Sequence, residues 1–182
     1  MKMKTMKAEV HFARLGIVQT TMTDPKLELK SVKVHQAMSE ETLCFSATIY
    51  VDGKQAGAVT NRGHGGCHEY RWTDKATGER LKAWAEAQNL PIDLEQLDQI
   101  IYNLVSLTEV EKRLKRLCSK KTLYRIRGDK SGWRTHPGPF TESLRLQMVE
   151  KLGDKLECIA NEDVHKAAQI DIQGVLESQG AS

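Results

Sequence analysis

The chain has 182 residues, 40% of them hydrophobic and 28% charged, with a formal net charge of +3. That length suits one domain with a core of its own, and no apolar run approaches the roughly 18 residues of a membrane-spanning helix. So small a net charge names no class of partner; only its distribution along the chain can.

The start, Met1 to Lys7, is basic, but Ala8, Glu9, Val10 and His11 interrupt any apolar run, so no secretory signal is expected and the cytoplasm is the expected compartment. Cys44, Cys67, Cys118 and Cys158 are far apart, with no paired ligand spacing, and are expected to be reduced. Val10 to Val18 reads as a first strand, with Gly16 marking a bulge. Leu27 to Val34 alternates as a second. The clearest strand is Leu43 to Val51, where Leu43, Phe45, Ala47, Ile49 and Val51 share one face. Asp52 and Gly53 form a two-residue hairpin turn, and Lys54 to Thr60 returns beside it. Asn61 to His68 follows as a glycine-rich loop, and His68 to Trp72 as a short strand.

After Asp74 the period becomes helical. Leu81, Trp84, Ala85 and Gln88 mark one helix, closed by Asn89, Leu90 and Pro91. A second starts near Asp93, with Leu94, Leu97, Ile101, Leu104 and Val105 as its stripe. Thr108 and Glu111 have capping-box spacing, which predicts a third helix with Val110, Leu114 and Leu117 inward. Thr122 to Arg127 and Trp133 to His136 read as a hairpin. Thr141 caps a helix with Leu144, Met148, Val149 and Leu152 inward, Gly153 ends it, and Leu156 to Ala160 is a last strand. Beyond Asn161 the chain is polar, and Ile170 to Leu176 either folds back or stays mobile. The expectation is an α+β fold, a mainly antiparallel sheet of hairpins on three to four helices, with one domain over 1–163 and a polar C-terminal tail over 164–182.

Two stretches carry chemistry. In the loop, Gly63, Gly65 and Gly66 permit positive φ, so successive amides can form an anion-binding nest, to which Arg62, His64 and His68 add donors and charge. The other stretch contains Lys112, Arg113, Lys115, Arg116, Lys120, Lys121, Arg125, Arg127, Lys130 and Arg134 against Asp129 as its sole acid. Such segregation is the footprint of a surface that meets phosphates or an acidic partner. Trp133 beside Arg134 can stack on a base. The expected ligand set is therefore Asn61, Arg62, Gly63, His64, Gly65, Gly66, Arg113, Arg125, Arg127, Trp133 and Arg134. The ligand is a nucleotide-like anion or an acidic protein surface, bound without catalysis. Two alternatives stand beside it. His64 and His68 as acid and base would make a phosphodiesterase, and the basic stretch would suit nucleic acid. No metal or cofactor motif is present, no membrane contact is expected, and a homodimer is compatible with the sequence.

The run from Cys44 to Gly57, followed by Asn61 to Gly66, resembles a segment of small accessory proteins of tailed phages and prophages. Leu123 to Lys130, with Trp133, Arg134 and Thr135 close behind, is similar to them too. The resemblance implies an origin in a phage genome, with the host cell's cytoplasm as the place of action; blocking host defence is among the activities that such accessory proteins have. It implies no particular site residue.

Overall fold

The structure, a computed structural model, describes residues 24–88, 95–129 and 132–179. The expected strand over Val10 to Val18, the helix stop at Asn89 to Pro91, the helix start at Asp93 and the cation Lys130 lie outside these residues. The fold is α+β, with two antiparallel sheets and four helices among the described residues. Where the sequence suggests one domain over 1–163 and a tail, contacts divide the chain into two compact units, Met1–Val105 and Ser106–Ser182.

The first unit holds a four-stranded sheet in the order β1 (Leu27–Val34), β2 (Phe45–Val51), β3 (Lys54–Asn61), β4 (Glu69–Trp72). Asp52 and Gly53 both take positive φ, 51° and 77°, as a tight hairpin between twisted strands demands. In β2 every second residue is buried, giving Phe45, Ala47, Ile49 and Val51 to the core. β1 changes phase midway. Ser31 at φ 53° sits at a bulge between Lys30 and Lys33, so Leu27 and Leu29 before it and Val32 and Val34 after it all reach the core. The helix α1 (Lys75–Ala87) starts at Asp74, whose carboxylate accepts from the amides of Ala76 and Thr77. Leu81 and Ala85 of α1 join Leu97, Ile100, Ile101 and Val105 of α2 (Gln96–Cys118) in the same core.

The capping box at Thr108 starts no helix. α2 runs unbroken from Gln96 to Cys118. No glycine or proline interrupts it, and Leu104, Leu107, Val110 and Leu114 carry apolar spacing straight through Thr108. A cap residue acts only where the backbone leaves helical dihedrals.

The second unit holds β5 (Lys121–Ile126) between β6 (Arg134–Pro137) and β7 (Leu156–Ile159), both antiparallel to it. α3 (Glu142–Leu152) is capped by the Thr141 hydroxyl, which accepts from the Leu144 amide. α4 spans Val164–Gln179. Its Ala167 and Ala168 are buried with Leu107, Leu114, Leu123 and Ala160, and Ile172 packs against them. The polar-tail segment thus contributes to a core through small residues that composition alone does not flag. Leu117 and Val149, expected inward, are exposed at 43% and 45%; Leu114 and Met148 take the inner positions of those helices.

Candidate functional site

Asn61, only 3% exposed at the end of β3, organises the glycine loop. Its Oδ1 accepts from the Gly63 amide at 2.8 Å and from the Thr42 hydroxyl at 2.8 Å. Its Nδ2 donates to the Gly66 carbonyl at 3.3 Å and to His68 Nδ1 at 3.1 Å. Thr42 Oγ1 in turn accepts from the Gly65 amide at 3.2 Å. The Gly63 carbonyl takes the amides of Glu40, Glu41 and Thr42. A Cβ on Gly63 would stand 2.1 Å from the Met38 carbonyl oxygen. Glycine there allows the loop to press against residues 38–44, as well as allowing its φ of 88°.

These bonds bear directly on the expected anion nest. The Gly63 and Gly65 amides already have partners inside the protein. Arg62 is held by Glu69 at 3.0 Å, and His64 Nδ1 lies 3.0 Å from Glu40 Oε2. Both side chains are therefore already engaged by carboxylates. The arrangement is a self-contained brace more than an open cradle.

His68 sits differently from His64. Only 9% of its side chain is exposed, whereas 59% of His64's is. The Gly63 amide can only donate, so the Asn61 atom facing it is the oxygen; Nδ2 then faces His68, whose Nδ1 must accept. The imidazole proton therefore rests on Nε2, which is buried with no hydrogen-bond partner among the described residues. Phe45 meets the imidazole edge-on, with centroids 4.9 Å apart. Asp98, in the first turn of α2 and 7% exposed, accepts from the His68 amide and from the Tyr70 hydroxyl, each at 2.6 Å. Burial holds the His68 pKa below its ordinary value, against the pull of the Asp98 carboxylate 3.8 Å away. Burial and the bond to Asp98 push the Tyr70 pKa far up, so it stays a phenol. A general base must offer a free nitrogen to its substrate. His68 Nδ1 is taken by Asn61 and its Nε2 is protonated and buried, so this geometry gives no support to a His64 and His68 acid–base pair.

Asp98, Tyr70 and Thr42 escaped the sequence reading. One signal was present: Asp98 falls between Leu94 and Ile101 at stripe spacing, a carboxylate where the pattern calls for an apolar residue.

In the second unit, two of the expected ligand residues meet at Asp171, and a third joins them through Trp133. The Asp171 carboxylate takes the Arg113 guanidinium on one oxygen and Trp133 Nε1, at 3.1 Å, on the other. Arg125 lies over the Trp133 ring at 5.6 Å, and its buried Nε is 3.5 Å from Glu157 Oε2, close enough for charge attraction but without a hydrogen bond among the described residues. Arg134 is bound by Asp129 at 2.7 Å, Lys112 by Glu109 and Lys115 by Glu111. Four members of the basic stretch, Arg116, Lys120, Lys121 and Arg127, are exposed and have no carboxylate partner among the described residues. Among the described residues, no three His, Cys, Asp or Glu side chains gather to hold a metal ion, and no helix is long and apolar enough to cross a membrane. No protein-family model, no curated protein and no solved structure matches the chain.

Proposed function

We propose that the chain is a non-catalytic binding protein for a phosphate-bearing polyanion, held by Arg116, Lys120, Lys121 and Arg127 of the second unit. The observation that carries this reading is that these four cations are exposed and, among the described residues, have no carboxylate partner (Arg127 Nε donates only to the Asp154 carbonyl, at 3.4 Å), while their neighbours are paired with carboxylates. Arg116 and Lys120 gain something from the negative end of the α2 dipole. That term does not account for Lys121 and Arg127, which open and follow a strand. Open placement on a helix end, a turn and a strand end suits an extended partner better than an enclosed nucleotide. Nucleic acid is the partner this charge pattern fits. The resemblance to phage accessory proteins supports a host molecule as the target.

The test is fluorescence polarisation with a labelled single strand, a duplex and a cyclic nucleotide over a salt series. Four phosphate contacts give a log–log salt slope of about −2.8 on a single strand, and the double variant Lys120→Ala, Lys121→Ala should lose about 1.4 of it. Salt-independent binding, or a slope unchanged in the variant, rejects the reading.

A further inference from the structure

The four-stranded sheet has a second face, opposite its core. Directly paired residues of neighbouring strands project to the same side, so the register assigns this face. One rank across the sheet reads Lys30, Thr48, Ala58, Arg71, and the next Lys33, Ser46, Thr60, Glu69. Beside them, Glu28 is paired with Tyr50. The middle of the face is small and hydroxylic, since Ser46, Thr48, Ala58 and Thr60 are only half-buried. Its two edges carry the exposed Lys30 and Lys33 on β1 and the exposed Arg71 on β4.

Charge on this face is lopsided. Cationic and acidic side chains are equal in number over residues 1–105. Yet Lys30, Lys33 and Arg71 have no carboxylate partner among the described residues. The acids here, Glu28 and Glu69, are each already paired with a further cation, Lys26 and Arg62. The face therefore keeps a surplus of positive charge in a unit that has none overall. One aromatic belongs to it among the described residues: the half-buried Tyr50, over whose ring the Lys30 ammonium lies 4.0 Å from the centroid, so a base stacking there takes the ammonium's place and leaves it for a phosphate.

We propose that this face is a docking platform for single-stranded nucleic acid, with one base on Tyr50 and the phosphates on Lys30, Lys33 and Arg71. Strands lie about 4.8 Å apart, so β1 and β4 are about 14 Å apart and their cations bracket a strand that crosses the sheet. The side chains between them are short, which lets a sugar–phosphate backbone lie close, and the Ser46, Thr48 and Thr60 hydroxyls can donate to its oxygens. A flat platform does not enter a duplex groove. Cations bordering an aromatic is the arrangement by which single strands are held without sequence preference. This face is distinct from the cations of the second unit, and it stands or falls independently of them.

The experiment uses the full chain and fluorescence anisotropy with labelled oligothymidine and oligouridine 12-mers from low to moderate salt. Variants are Lys30→Ala, Lys33→Ala, Arg71→Ala together, Tyr50→Ser and Tyr50→Phe, each checked for an unchanged far-UV circular dichroism spectrum. The triple variant should lower the salt slope by about 2, from about 0.7 for each single-strand phosphate lost. Tyr50→Ser should weaken binding roughly tenfold at unchanged slope, and Tyr50→Phe should bind as the wild type does. Tighter binding of one oligomer identifies RNA or DNA as the preferred source; either supports the platform. Wild-type behaviour of the triple and Tyr50→Ser variants overturns it, even if the Lys120 and Lys121 variant fails to bind. Equal displacement of both oligomers by polyglutamate, with no effect of Tyr50→Ser, also overturns it in favour of an acidic protein surface.

Discussion

Removing the Asn61 side chain isolates what holds the glycine loop. In Asn61→Ala, four hydrogen bonds lose a partner, but they are not equivalent. Gly66 is exposed and Thr42 half-buried, so their groups can turn to water. The Gly63 amide and His68 Nδ1 are enclosed and cannot. Each buried group left unsatisfied costs about 1–3 kcal/mol, so the first unit should lose about 2–6 kcal/mol. Breaking the exposed His64–Glu40 pair instead, with His64→Ala, should cost under about 1 kcal/mol. Native-state amide exchange reads the difference locally, which matters because the chain has two compact units and need not unfold in one step. The Gly63 and Gly65 amides should be protected in the wild type and lose protection in Asn61→Ala. Asn61→Asp keeps both acceptor bonds and loses both donor bonds, so it should fall between. A loss below about 0.5 kcal/mol in Asn61→Ala refutes the brace. So would a shift of the Gly63 and Gly65 amide resonances on titration with inorganic phosphate, because their hydrogens would then be free for an anion.

Two further outcomes follow from the same unit. His68 is buried neutral, so its folded pKa lies below the unfolded value and the unfolded chain binds the extra proton. Stability from this group is complete above about pH 6.5 and falls as pH drops through that value towards the folded pKa, by up to about 1.4 kcal/mol per unit. Urea midpoints from pH 7.5 to 5 should show the fall in the wild type and a flatter profile in His68→Gln; equal profiles would reject the assignment. Gly78→Ala should destabilise, although alanine is the better helix former by about 1 kcal/mol. Its Cβ would stand 2.8 Å from three ring atoms of Trp72, a ring stacked parallel on Tyr70 at 5.2 Å. Overpacking of that kind costs about 1–3 kcal/mol, and a raised melting temperature would show that the ring can move aside.

Local alternation made the sheet of the first unit readable. β2 obeys period two throughout, and Asp52-Gly53 names its own turn. β1 was readable only in part, because the bulge at Ser31 swaps the faces midway and a single residue with positive φ leaves no mark in the apolar pattern. α2 was split by a capping signal that is genuine in isolation, since the spacing of Thr108 and Glu111 cannot report that the preceding residues are already helical. α4 was hidden by small residues, because Ala167 and Ala168 fill a core without raising local hydrophobicity.

The two charged stretches are legible in the sequence, but their balance of charge is not. Counting along 112–134 finds Asp129 as the only acid, yet the fold brings Asp171 to Arg113 and Glu157 to Arg125 from 58 residues and 32 residues further on. The loop behaves the same way: Glu40 comes to His64 from 24 residues earlier in the chain. Neutralisation by distant carboxylates is a tertiary fact, and it falls hardest on the residues that look most functional in a window. What survives it is different in kind. Lys33 and Arg71 are unremarkable in sequence, and Lys121 and Arg127 are two cations among ten in the basic stretch, but in the folded chain all four lack a carboxylate partner among the described residues. A cation already paired must give up its carboxylate before it meets a phosphate, and an unpaired one need not. Binding should therefore track the unpaired set, and variants of Arg62, Arg113 and Arg134 should change affinity less than variants of those four.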